Sequence, residues 1–121
     1  MDADLTRRME REREFWVDVA PGKRIKFLRP LLDEARYAVT GIKECCEYVR
    51  GWEGIVESDL LTTGGTAEVE FDAAIASTLL RDHMGWAKKV AIGMASSLKE
   101  RHKQTEAAEK NSVTSSTLKL A

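Results

Sequence analysis

The sequence is poor in the residues that usually announce chemistry. It holds two cysteines, two histidines and two prolines in 121 residues. Cys45 and Cys46 are adjacent, and in a helix their side chains diverge by about 100°, so a disulfide between them is strained and a reduced, partly buried pair is expected. His83 and His102 stand alone in the sequence, without the chelating spacings of a metal site, and neither metal nor cofactor is expected. Long apolar runs are missing too. The longest, from Val90 to Leu98, falls far short of the roughly 20 residues that cross a bilayer. The first residues are acidic and then rich in Arg and Glu, with no apolar stretch of the secretory kind, so a cytoplasmic protein without a membrane partner is expected. There is no Gly-x-Ser-x-Gly, no His-Glu-x-x-His, no Cys-x-x-Cys and no glycine loop entering a helix, and we expect no enzyme. A net charge of −1 supplies no global attraction to nucleic acid.

What is present suits one folded domain, with 43% hydrophobic and 32% charged residues. Residues 1–14 interleave Arg7, Arg8, Arg11 and Arg13 with Glu10, Glu12 and Glu14, and place Leu5 and Met9 one turn apart, which predicts a short amphipathic or frayed helix. Over 15–29 the period becomes two: Phe15, Val17 and Val19, then Ile25 and Phe27, on either side of Pro21-Gly22. A β-hairpin follows, and because Pro-Gly favours a turn that splays tight hairpins, a loop of three to five residues is expected. The basic turn Gly22-Lys23-Arg24 lacks the glycines of a phosphate loop and reads as a solvated turn. Pro30 suits the first position of a helix over about 30–50, with Leu31, Leu32, Ala35, Ala38, Val39, Ile42, Cys45, Cys46 and Val49 on one face and Gly41 weakening its middle.

The most individual stretch runs from Val49 to His83. Gly51 suits the left-handed C-cap of that helix, Trp52 is expected to fold back and bury its ring, and Gly54, Ile55 and Val56 lead into a polar turn with Gly64-Gly65. Asp72 reads as the N-cap of a second helix over 72–82, with Phe71 stapled against its first turns and Leu79 and Leu80 on its apolar stripe. A third helix over 85–104 carries Trp86, Val90, Met94 and Leu98 on its stripe, with Ala87, Ala91, Gly93, Ala95, Ser96 and Ser97 around it. Residues 105–121 lose periodicity and read as a flexible polar tail. The expected fold is α+β, mostly α: a short N-terminal hairpin packed on a three-helix domain. Charge divides along the chain, with seven acidic residues against Arg81 between Gly51 and Met84, and a basic excess after Trp86. The simplest expectation is two neighbouring surfaces attracting each other within the fold.

The order Trp52, Gly54, Ile55, Asp59, Gly65, Val69, Phe71, Leu79, Leu80 resembles the small tail assembly chaperones of long-tailed bacteriophages and related prophages. In that family a helix runs into Trp-x-Gly-Val or Trp-x-Gly-Ile, then an acidic glycine-containing turn, then a hydrophobic-x-Phe and a helix with a Leu-Leu pair. A leading hairpin ending in Arg-Pro, here Arg29-Pro30, is also frequent there. The turn from Ser58 to Glu68 is longer than the usual form. The resemblance implies a chaperone of phage morphogenesis in a bacterial host cell that binds the tape measure protein, with tail tube subunits as a further partner. Trp52, Gly54, Ile55, Phe71, Leu79 and Leu80 would be its structural signature. For the contact with partners, the small-residue helix is the candidate, through Trp86, Val90, Ala91, Met94, Ala95 and Leu98, and weak self-association is expected there. The alternatives are a phage neck or connector subunit and a small DNA-binding regulator.

Overall fold

The computed structural model describes the backbone of residues 3–120 and the side chains of residues 3–110. It is an α+β fold in which a three-stranded antiparallel sheet, ordered β1-β2-β3, packs on two helices. Helix α1 (Ala3–Arg13) buries no residue and leads directly into β1 (Glu14–Ala20) and β2 (Lys23–Leu28). Alternation sorts the strands as expected: Val17, Val19, Ile25 and Phe27 face the core. Trp16, Asp18, Arg24 and Lys26 lie on the outer face, where the Arg24 guanidinium stacks 3.9 Å from the Trp16 ring centre. Only Pro21 and Gly22 connect the strands, since Ala20 pairs with Lys23, so the expected longer loop is not formed. A bulge between Asp18 and Ala20 adds the twist that a Pro-Gly turn by itself does not give.

The continuous helix expected over 30–50 does not form. Leu32–Glu34 make one 3-10 turn before α2 (Ala35–Ala38), and the chain is then extended at Gly41 (φ −171°, ψ 176°) before α3 (Ile42–Cys45). A second 3-10 turn, Cys46–Tyr48, delivers the chain into β3 (Val49–Glu53), which pairs antiparallel with β2. The ladder pairs one side of 49–53 with β2, and a third strand removes the marginality of an isolated hairpin. Breaking the helix also splits its apolar face. Ala38, Cys45, Cys46 and Val49 are buried, whereas Leu31, Leu32 and Val39 are exposed. Gly51 is therefore a strand residue and not a C-cap. Both cysteines are free and buried; the Cys45 thiol donates to the Ala38 carbonyl at 3.0 Å, and burial, with Cys46 and Glu44 beside it, raises its pKa to about 11.

Helix α4 (Glu57–Leu60) sits inside the loop after β3, and α5 (Ala73–Asp82) starts at Asp72, whose carboxylate accepts from the Ile75 N–H at 3.0 Å as its N-cap. At His83 the chain bends into α6 (Met84–Leu120), which continues without a break through 105–110, where the sequence pattern places the start of a tail. The remainder of the expected flexible tail has its side chains outside the described ones. Val90, Met94 and Leu98 of α6 close the core over Val17, Val19, Ile25 and Phe27, together with Ala76 and Leu80 of α5. Close approach is what the small residues of α6 provide here: a Cβ at Gly93 would stand 2.6 Å from the Val17 Cγ2. The expected arrangement of a hairpin on three helices is thus replaced by a three-stranded sheet on α5 and α6, flanked by short helical turns. No helix among the described residues is long and apolar enough to cross a membrane.

Candidate interaction surface

The stretch 54–72 folds into a closed unit on the edge of the sheet. Gly54 begins it with φ +80°, and a Cβ there would meet the Gly22 carbonyl oxygen at 2.1 Å, so only glycine lets β3 leave the sheet beside the hairpin turn. The loop returns antiparallel to itself: Val69 N donates to Ile55 O at 2.9 Å, Glu57 N to Ala67 O and Ser58 N to Gly65 O, each at 3.0 Å. Ile55 is buried beneath it. Trp52 pairs with Ile25 on the core face of the edge strand and packs partly buried against the core, as a strand residue and not as a ring folded back from a helix end. Its Nε1 donates to Val69 O at 2.7 Å, and Phe71 meets its ring edge-on, with centres 5.2 Å apart. Phe71 is thus engaged with Trp52 across the loop. Six of the signature positions (Trp52, Gly54, Ile55, Asp59, Val69 and Phe71) therefore shape one loop, and Leu79 and Leu80 are buried in the helix that carries it.

Lys23 ties this loop to the hairpin. Its Nζ donates to the Asp59 carboxylate at 2.6 Å and to Gly54 O at 3.2 Å, so the turn read as solvated is in fact a clasp. Burial pushes the Asp59 carboxyl up, but bonds from Lys23 and the Val56 N–H, with the charges of Lys23 and His83, together hold it below the usual aspartate value. Next to it the His83 ring donates through Nε2 to Asp59 O at 2.9 Å and stacks on Trp86 at 4.6 Å.

Between α4 and α5 the closed loop leaves an open groove of about 490 Å³. Leu60, Leu61, Val69, Ile75 and Leu79 form its apolar floor and walls; Leu61 is 59% and Ile75 37% exposed. Glu57, Asp59 and Asp82 edge it with carboxylates. Sequence reasoning overlooked Leu60, Leu61 and Ile75 as a surface. The available signal was Leu60-Leu61, an aliphatic pair inside a turn otherwise read as polar.

The six residues proposed on α6 for partner contact separate by burial. Val90, Met94 and Leu98 are enclosed in the protein's own core, and Trp86 packs half-buried against it. Ala91 and Ala95 are exposed, on the same side as Met84, Lys88, Ile92 and Lys99. The acidic centre neighbours basic α6 through the packing of α5 on α6, but among the described residues the attraction expected between them forms no salt bridge. Among the described residues, the salt bridges of the centre go to the hairpin, Lys23 with Asp59 and Arg24 with Glu53 at 2.8 Å, and none joins it to α6. Also among the described residues, no group of three or more His, Cys, Asp or Glu is placed to hold a metal ion. No protein-family model, curated protein or solved structure matches the chain.

Proposed function

We propose that this protein is a phage or prophage tail assembly chaperone that holds the tape measure protein, with tail tube subunits as a second client, until the tail polymerises. The single observation behind this reading is that most residues of the family resemblance fold one loop, of which Asp59 and Val69, with Leu79 of α5, line an open apolar groove. Trp52, Gly54, Ile55, Asp59, Val69 and Phe71 fold the loop, Leu79 lies in the groove wall, and the product is an open apolar surface with an acidic edge. A long helical client offers apolar side chains at three- and four-residue spacing, which such a groove accepts in the helix-in-groove manner. Leu61 and Ile75 lie in one groove with Leu60, Val69 and Leu79, a contiguous apolar surface of the kind that receives a partner.

The test is co-expression with a tape measure protein of the phage or prophage that encodes the chain. The tape measure protein should be soluble and co-purify with the wild-type chain, and should be lost from the soluble fraction with Leu61→Asp, at a groove position that is 59% exposed, with circular dichroism unchanged. A tape measure protein equally soluble without the chain overturns the proposal. Recovery of the chain in stoichiometric amount from mature particles would assign it instead to the neck or connector, and a shift of duplex DNA would make it a regulator.

A further inference from the structure

The acidic centre and the basic face of α6 form no salt bridge with each other among the described residues, and they are complementary between two chains. We infer that the groove between α4 and α5 receives the exposed face of α6 from a second copy of this chain. The receiving side is apolar at Leu60, Leu61, Ile75 and Leu79 and carries Glu57 and Asp82, neither of which makes a salt bridge among the described residues. The entering side is a stripe of α6 at three- and four-residue steps: Met84, Lys88, Ile92, Ala95 and Lys99. Met84 is 81% and Ile92 59% exposed, and Lys88 and Lys99 have no carboxylate partner among the described salt bridges. Ala91 and Ala95, the small residues around Ile92, let the helix lie close to the groove walls. Apolar side chains thus meet the apolar floor while lysines meet the carboxylates at its edge.

The sign of the charges decides the occupant. A second acidic groove would be repelled, and on the outer sheet face the basic side chains are already paired, Arg24 with Glu53 and Lys26 with Glu14. The α6 stripe combines the exposed aliphatic side chains of Met84 and Ile92 with lysines in no salt bridge among the described residues, whereas the exposed Leu5 and Met9 of α1 lie among arginines interleaved with Glu10, Glu12 and Glu14. Because unlike patches meet, the contact is heterologous. Its footprint is one groove and one helix face, below the size of a standard stable interface, so the association is weak and salt-sensitive. It needs no client and stands apart from the chaperone reading.

Sedimentation equilibrium of the pure chain tests it, from about 5 to about 500 µM because a contact this small is transient. The wild type should pass from monomer toward a larger species, and its dissociation constant should rise at least about tenfold between about 0.05 M and 0.5 M salt, as screening shortens. Ile92→Ser and the double variant Leu61→Ser, Ile75→Ser should each weaken self-association by about tenfold or more, with unchanged circular dichroism. Mixed together, these two must associate again, because one copy then supplies an intact groove and the other an intact helix. A wild type monomeric throughout the range overturns the inference. So does association that survives the groove variant, or a mixture that stays as weak as its components.

Discussion

Among the described glycines Gly54 has the closest Cβ approach, and it has a positive φ as well. At φ +80°, with the Gly22 carbonyl where its Cβ would go, Gly54→Ala should cost about 2 kcal/mol or more, from left-handed strain and from displacement of the turn. Gly51→Ala faces only the end of the Lys26 side chain at 3.4 Å and should stay within about 1 kcal/mol of the wild type; urea unfolding of the two variants gives the comparison directly. Trp52→Ala removes the bond to Val69 O and the edge contact with Phe71, but the ring is only half-buried, so a loss of about 2 to 3 kcal/mol is expected, less than for an enclosed ring. At this scale the sequence was partly legible. Asp72 before an apolar stripe announced its own N-cap, because capping is local in the chain. Lys23 announced nothing, because Asp59 lies 36 residues away and only the folded turn brings them together.

Among the elements, α5 and the hairpin were legible from periodicity, and the broken helix and β3 were not. Residues 30–50 carry a helical apolar spacing, yet β2 needed a second neighbour and Val49–Glu53 supplied it, so pairing across the sheet overrode local preference. Two predictions belong here. Gly93→Ala sets a methyl against Val17 at the α6–β1 contact and should cost about 1 to 3 kcal/mol, read from the shift in the denaturant midpoint. The second concerns acid. Because the Asp59 carboxyl is held below its ordinary value in the fold, its contribution is complete above the ordinary aspartate value near 3.9. That contribution is lost as the pH falls through the lowered folded value. Lys23→Met should therefore lower stability near neutral pH and flatten its decline in acid; an identical decline in both proteins would show that the clasp does not contribute.

For the whole molecule, the same sheet-and-helix core supports two unlike surfaces: an acid-edged apolar groove and a basic helix face. The division of charge was visible in the sequence, but its consequence was not, since only the fold shows that the acidic centre is tied to the hairpin and leaves α6 unpaired with it. Half of the residues proposed for partner contact turned out to be core for the same reason: a helix stripe reads alike whether it meets its own sheet or a foreign chain. The groove was illegible because its walls come from different elements, Leu61 from within the closed loop and Ile75 from α5. Its use as the client-binding surface is most directly measured by hydrogen–deuterium exchange of the chain in complex with the tape measure protein, against free chain dilute enough to be monomeric. The account predicts slowed exchange concentrated at residues 57–61 and 74–83, with the outer face of the sheet unchanged. Slowed exchange confined to the outer sheet face or to α1, with 57–61 and 74–83 unaffected, would contradict it.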